Sequence, residues 1–369
     1  MSSSSPGFHE SSLPLRYSSW INEIIRGDIP TEKLATCHDC AMCRKADEPE
    51  ESQGLYFDPK VRCCSYVPEL PNFLLGRILL EKNSKSVPGR DLLLNRITQR
   101  IALSPMGLGS GKMYSLLYSN SEHAFGSSYH LRCPYYIADG DLCGIWKHRN
   151  SVCSTWFCKH ERGEEGYRFW AAVKQLLSTI ENNLALACLM HLQLSNDSVF
   201  EILAQKQAEA EGGKANLLAT SELDQVVDEK TYRILWGEWE GKEQEFFIRC
   251  AQFVDALSWK EVLGLCGPEV SLMIPLVKEA YLRLQKKPLP DVLLPGPIKV
   301  SQVNEENVLV ETYSEYNPLS LPTFIFEILS AFDGSETNEV LARLAREKKV
   351  EVEEDFIRIL CDYHVLVPA

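Results

Sequence analysis

The feature that most constrains this chain is the concentration of cysteine in its first 160 residues. Nine of its 13 cysteines lie there: Cys37, Cys40, Cys43, Cys63, Cys64, Cys133, Cys143, Cys153 and Cys158. The amino terminus is polar and rich in serine, without the apolar core of a secretory signal, so we expect a cytoplasmic protein with reduced thiols. In that setting, cysteines two residues apart predict metal ligation and not disulfides.

The spacing of the first three cysteines indicates the kind of centre. Cys37, Cys40 and Cys43 are each separated by two residues, which lets one loop curl so that successive thiolates converge. A zinc site usually takes two cysteines from one such loop and the rest from another part of the chain. Three in a row therefore favour an iron–sulfur cluster, with zinc as the alternative.

The remaining cysteines add ligand candidates. Adjacent side chains of an extended segment point to opposite sides, so one of Cys63 and Cys64 is expected to ligate while the other packs near the centre. Four further cysteines follow within 26 residues, interleaved with aromatic and turn-forming residues that would shield a centre from water. Nine cysteines serve either one four-iron cluster (4Fe-4S) with spares or two centres.

The later cysteine segment carries a family resemblance. It reads C-P-Y-Y, then D-G-D-L-C-G-I-W-K, then C-S-T-W-F-C, and this pattern resembles the YkgJ family, which is named for its CxxCxxCC motif. Cys37, Cys40 and Cys43 match the start of that motif, whereas Cys63-Cys64 is displaced by a 19-residue insertion. The resemblance covers residues 35–160 and implies zinc or iron chelation. The flagellin lysine methylases, which resemble the family too, carry an iron–sulfur cluster.

Apolar periodicity predicts a mainly α-helical chain with an irregular cysteine-rich region and an α+β, winged-helix-like carboxy-terminal domain. We expect a tail with a short helix (1–30), a cysteine-cluster domain (31–162), a helical domain (163–287), a proline-rich linker (288–297) and a final domain (298–369). Helices are predicted at residues 19–29, 71–82, 167–194, 198–211, 243–256, 269–285, 322–332, 337–347 and 353–363. Strands are predicted within residues 299–312 and 365–367.

The final domain also resembles a known module. Its segment L-P-T-F-I-F-E-I-L-S-A-F-D-G-S-E-T-N-E-V-L-A-R-L is similar to part of the PqqD-like domains. That resemblance implies a winged-helix scaffold that presents a peptide strand against a sheet edge. A small helical cap without a ligand is the alternative.

Composition excludes several functions. A net charge of −13 argues against nucleic-acid binding, which needs clustered Lys and Arg, and no apolar run is long enough for a membrane span. The glycine-rich residues 107–112 lack the Gly and the Ser or Thr that a phosphate loop requires, with Met106 and Met113 in their places. Cys188, Cys250, Cys266 and Cys361 lie in apolar, helix-like settings and are expected to be ordinary buried thiols.

Two functions fit this pattern. The first is an iron–sulfur (or zinc) protein that modifies a peptide or protein side chain by redox or metal-assisted chemistry, with the nine cysteines as ligands and no identifiable general base. The second is a non-catalytic, zinc-stapled interaction module. His38, His130, His148 and His160 lie within or beside the cysteines and are expected to be surface or structural histidines, with His38 a candidate hydrogen-bond donor to the centre.

Overall fold

The computed structural model describes residues 13–35, 37, 39–45, 55–82, 88–210, 228–285, 288–303 and 306–369. The serine-rich start, His38 and the acidic insertion after Cys43 lie outside the described residues. The described chain is mainly α-helical with small antiparallel sheets, so the predicted fold class is confirmed.

The first helix, α1 (Leu15–Ile25), is amphipathic and buries Tyr17, Trp20, Ile21 and Ile24. It begins and ends earlier than the predicted residues 19–29. Pro14 precedes its first turn, where a fixed φ suits a helix start, and Arg26 ends it in a left-handed conformation.

The helical body follows. Its helices are α2 (Asn72–Leu80), α3 (Arg90–Gln99), α4 (Lys112–Ser119), α5 (Ser151–Thr155), α6 (Gly163–His191), α7 (Asn196–Ala210), α8 (Glu229–Trp236), α9 (Glu243–Ala256) and α10 (Trp259–Arg283). The long helix α6 is central, because α5, α9 and α10 all pack against it. The predicted helix 243–256 is confirmed residue for residue, and 167–194 is confirmed as one helix.

Two glycines shape this body. At Gly76 an added Cβ would lie 1.8 Å from the Phe247 carbonyl oxygen, so this glycine lets α2 pack closely on α9. At Gly267 the backbone leaves the helical conformation immediately before Pro268 and bends α10. The bend explains why periodicity placed the start of this helix at residue 269, after it.

A single hydrophobic core joins the amino-terminal half to the helical body. Residues of α1, α2, α6, α9 and α10 form it together with Tyr135 and Ile145 from the cysteine region. The predicted cysteine-cluster and helical domains therefore share one core. Apolar periodicity reveals which face of a helix is buried, but not which part of the chain covers that face.

The cysteine region contains only short strands. β1 (Leu70–Pro71), β2 (Leu103–Ser104) and β3 (Gly107–Leu108) form a sheet with β3 at its centre, and β4 (Tyr136–Ile137) pairs with β5 (Leu142–Cys143). Gly107 has φ +147°, and an added Cβ there would lie 2.1 Å from the Leu70 carbonyl oxygen. This glycine of the 107–112 segment is thus used for strand pairing.

The carboxy-terminal unit has its own hydrophobic core, formed by residues from Leu293 to Leu366. Its strands are β6 (Leu293–Pro295), β7 (Lys299–Val303), β8 (Asn307–Glu311), β9 (Leu319–Pro322) and β10 (Leu366–Pro368), and its helices are α11 (Ile325–Leu329), α12 (Thr337–Arg343) and α13 (Glu354–Asp362). The predicted strands and helices of this unit are present. β9 and β6 are additional, and β6 lies within the proline-rich residues 288–297, where it pairs with β10.

No helix in the described ranges is long and apolar enough to cross a membrane.

Candidate metal centre

The cysteines of the first 160 residues form one connected network of free thiols. Cys63 is its hub, and the thiols with which it interacts electrostatically are Cys37, Cys40, Cys64, Cys143, Cys153 and Cys158. Cys43 joins through a hydrogen bond with Cys40, and Cys133 joins through its interaction with Cys143 and Cys153. The structure thus brings all nine predicted site residues into one network, with Cys37 at its solvent-exposed edge.

The loop that carries Cys40 and Cys43 is anchored by the apolar residues between and after them. The Cys43 N–H donates to the Cys40 carbonyl at 3.1 Å, and the Phe57 N–H donates to the Met42 carbonyl at 2.7 Å. Met42, Phe57 and Cys158 form a small buried cluster beside this turn. Burial of Met42 and Phe57 therefore holds the loop against the rest of the centre.

Arg62 ties three of the cysteine segments together. It lies next to Cys63, donates to the carbonyl oxygen of Cys37, and donates to Asp141 Oδ2 at 2.8 Å from Nη2. Asp141 also accepts a hydrogen bond from the Tyr136 hydroxyl. Because Asp141 lies in the β4–β5 turn, this one side chain links the segments of Cys37, Cys63 and Cys143.

Backbone bonds place the next two cysteines. The Cys133 N–H donates to the Cys64 carbonyl at 2.6 Å. Cys143 stands opposite Tyr136 in the β4–β5 ladder, and the Gly144 N–H donates to the Tyr135 carbonyl at 2.7 Å. The hairpin therefore brings Cys143 back toward Cys133.

A buried carboxylate supports the short helix α5, which carries Cys153. Glu181 of α6 is 6% exposed, and it accepts hydrogen bonds from the Ser151 N–H at 2.7 Å and the Ser151 hydroxyl at 2.6 Å. The Tyr17 hydroxyl donates to the same carboxylate, and burial raises the pKa of Glu181 to about 7. Asn150 caps α5 by accepting from the Cys153 N–H at 3.0 Å.

Aromatic side chains enclose one side of the network, as the sequence predicts. Phe125 makes edge contacts with Phe57 and Trp156, with ring centres 5.5 and 5.2 Å apart. Tyr316 of the carboxy-terminal unit contacts the same three rings, at 5.6 Å from Phe57. The carboxy-terminal unit thus contributes to the wall of the centre.

Polar contacts dock that unit beside the cysteines. Lys159 donates to the Tyr316 carbonyl at 3.2 Å, and Asn317 donates to the His160 carbonyl at 3.3 Å and to the Tyr313 hydroxyl at 2.6 Å. His160 is 3% exposed, and its Nδ1 lies 3.2 Å from the Tyr313 hydroxyl. A buried, hydrogen-bonded histidine at this seam has a structural role.

The thiols lie in surroundings that disfavour charge. Burial raises the pKa of Cys143 to about 11 and that of Cys158 to about 12. Between Cys40 and Cys43 a shared hydrogen bond lowers the pKa of Cys40 to about 6 and raises that of Cys43. Because ligation requires thiolates, positive charge near the buried thiols favours a metal-bound state.

No three His, Cys, Asp or Glu side chains of the described residues stand where a single metal ion could bind all of them. Ligation of an ion or a cluster by the cysteines therefore stays a prediction. Of the other cysteines, Cys188, Cys250 and Cys266 are buried as expected, whereas Cys361 is half-buried. His130 is exposed, and His148 Nε2 lies 3.4 Å from Glu81.

Sequence reasoning missed Arg149, Arg62 and Glu181. Each owes its place to a partner distant in sequence: Arg62 bonds to Asp141, Glu181 to Ser151 and Tyr17, and Arg149 interacts with Cys37 and Cys63. Burial of Arg149 among cysteines has no signature in a single sequence. An acidic residue on the apolar face of α6 was the only available signal for Glu181.

Comparison of the chain with family models, curated proteins and solved structures found no match.

Proposed function

We propose that this chain is an iron–sulfur protein whose cysteine network binds a four-iron cluster. The observation that carries the proposal is the gathering of nine thiols from separate segments around Cys63. Iron–sulfur clusters are held by cysteine thiolates, and four thiolates suffice for one. The resemblance of residues 35–160 to the YkgJ family supports the same assignment.

The residues around the thiols fit such a group. Arg149 is 8% exposed and interacts with four of the cysteines, and the rings of Phe57, Phe125 and Trp156 limit access of water. A structural zinc site takes only four ligands, so nine thiols exceed what one zinc needs. When bound, a four-iron cluster would supply one-electron chemistry.

The carboxy-terminal unit supports a role in modifying a peptide or protein side chain in the cytoplasm. In its three-stranded sheet β7 is an edge strand, with Val300 42% exposed and a register shift between Val300 and Gln302. An edge strand offers backbone donors and acceptors to an added peptide strand. Tyr316, which belongs to the same unit, lines the centre.

Optical and magnetic spectra test the proposal. On protein purified without oxygen we expect a broad visible absorption of iron–thiolate charge transfer, bleached by dithionite, with an electron paramagnetic resonance signal in the reduced state. A colourless protein that contains zinc would contradict the proposal, because zinc thiolates do not absorb visible light. That result would favour the zinc-stapled interaction module.

A further inference from the structure

The side chain of Arg149 is fixed inside the cysteine network. It lies directly before Asn150, the capping residue of α5, and is 8% exposed. Its Nε donates to the Trp146 carbonyl at 3.2 Å, and its Nη1 donates to the Cys153 carbonyl at 3.1 Å. The guanidinium carbon lies 3.5 Å from the centre of the Trp146 ring. Two carbonyls and an aromatic face thus hold the cation in one orientation.

Thiols from four segments face this cation. Those with which the guanidinium interacts electrostatically are Cys143, Cys37, Cys153 and Cys63. They also interact with one another: Cys63 with Cys37, and both with Cys143, while Cys153 interacts with Cys143 and Cys63. The other five predicted ligands are not among the groups that act on Arg149.

A buried cation is stable only where negative charge compensates it. Burial lowers the pKa of Arg149, and negative charge at the four facing sulfurs opposes this effect. Arginine stays protonated in proteins, so the charge that changes at this place is that of the sulfurs and of any group bound to them. The arrangement is therefore suited to an anionic centre.

We propose that Arg149 is the positioning residue of the centre, which assembles the four facing cysteines as thiolates and offsets the negative charge added by one-electron reduction. This inference rests on the proposed iron–sulfur function. An electron that enters a bound cluster adds one negative charge, and a fixed cation nearby stabilises that state. The consequence is a higher midpoint potential than the same ligands would give without Arg149.

Redox titration of Arg149→Met and Arg149→Lys tests the proposal, with dithionite as reductant and visible absorbance as the signal. At a fixed applied potential we expect Arg149→Met to lower the ratio of reduced to oxidised protein at least tenfold, which is about 59 mV for a one-electron couple. Arg149→Lys keeps the charge and should shift the potential less. Lys147→Met is the matched control, because Lys147 is an exposed cation in the same segment, and its potential should be unchanged.

Iron content and circular dichroism complete the test. Loss of iron from Arg149→Met but not from Arg149→Lys, with both proteins folded, also supports the proposal, because charge is then what assembly requires. An unchanged potential in Arg149→Met, or loss of iron or of folded structure in both variants, overturns it. Wild-type protein without iron would instead refute the proposed function, so the two failures are distinguishable.

Discussion

At the scale of single residues, Cys63 and Cys64 are neighbours in sequence but differ in their contacts. The Cys63 thiol interacts with thiols from the segments of Cys37, Cys143 and Cys158. Cys64 hydrogen-bonds with Cys63, and its carbonyl oxygen accepts from the Cys133 N–H. The expectation that one cysteine of the pair ligates therefore points to Cys63.

We predict that Cys63→Ser loses most of the iron bound by the wild-type protein, because the hub of the thiol network is removed. Cys361→Ser is the matched control, since Cys361 packs against the separate carboxy-terminal core and should leave the iron in place. Iron per chain, measured after gel filtration without oxygen, decides between the outcomes. Full retention of iron by Cys63→Ser would contradict the ligand assignment.

Glu32 gives the amino-terminal half a pH-dependent stability. Burial raises the pKa of Glu32 to about 7 from an ordinary value of 4.5, although its oxygens accept from the Glu161 N–H at 2.7 Å and from Trp170 Nε1 at 2.8 Å. As pH rises between these values, the unfolded state ionises before the folded state does. The free energy of unfolding therefore falls across this window.

We predict that Glu32→Gln removes a decrease on the order of 2 kcal/mol in unfolding free energy between about pH 4.5 and about pH 7. Urea denaturation at both ends of the window measures it. Glu238→Gln, at an exposed position, should keep the wild-type dependence. An equal pH dependence in Glu32→Gln and wild type would show that this carboxyl is not the source.

Residue-level prediction from sequence reached the cysteines but not their surroundings. The spacing of Cys37, Cys40 and Cys43 is a local signal, and the later cysteines carried a recognisable pattern. Arg149 and Glu181 have no such signal, because what makes them notable is burial beside residues distant in sequence. Only packing of the folded chain reveals that burial.

At the scale of elements, the contact between α2 and α9 depends on the absence of a side chain. An added Cβ at Gly76 would lie 1.8 Å from the Phe247 carbonyl oxygen and 2.8 Å from the Ala251 Cβ. A backbone carbonyl in a helix cannot move aside as the tip of a flexible side chain can. Any larger residue must therefore push the two helices apart.

We predict that Gly76→Ala lowers the free energy of unfolding by about 2 to 3 kcal/mol, because it overpacks a helix contact. Gly264→Ala is the matched control, since Gly264 lies in α10 with no heavy atom within 4 Å of an added Cβ. It should stabilise the protein by about 0.5 to 1 kcal/mol through helix propensity. Urea denaturation measures both, and equal effects of the two substitutions would refute the close approach.

Long helices were predictable and short strands were not. Apolar periodicity over many residues predicted α6 and α9, and it predicted the helices of the carboxy-terminal unit. β1, β2 and β3 have two residues each, which is too short for an alternating pattern. These strands exist because tertiary contacts bring their segments together.

At the scale of the whole molecule, two hydrophobic cores meet at a polar seam. Arg162, directly before α6, donates from Nη2 to Asp362 Oδ1 at 2.8 Å and from Nη1 to the Leu284 carbonyl at 2.6 Å. Beside it, His364 Nε2 lies 2.8 Å from Glu165 and Nδ1 lies 3.1 Å from Glu164. The seam fixes the carboxy-terminal unit, and with it Tyr316, beside the cysteines.

We predict that Arg162→Ala lowers the free energy of unfolding by about 2 kcal/mol, because paired bonds to a carboxylate and a helix-end carbonyl are lost together. Arg168→Ala removes an exposed pair with Glu164 within α6 and should change stability by less than about 0.5 kcal/mol. Thermal unfolding followed by circular dichroism compares them. Equal effects would mean that the Arg162 contacts do not stabilise the seam.

The molecular arrangement was only partly predictable. The carboxy-terminal unit was delimited by its composition, and its separate core agrees with that division. The proline-rich residues 288–297 predicted a linker, yet β6 lies within them, because its pairing with β10 depends on a strand about 70 positions later. Neither the shared core of α1, α2 and α6 nor the docking of Tyr316 has a local sequence signal.

The central claim is that the nine gathered thiols hold an iron–sulfur cluster. Chemical analysis of iron and acid-labile sulfide, on wild-type protein purified without oxygen, tests it most directly. Our account predicts about four irons and about four sulfides for each cluster bound. Protein that carries one or two zinc ions, with neither iron nor sulfide, would contradict it.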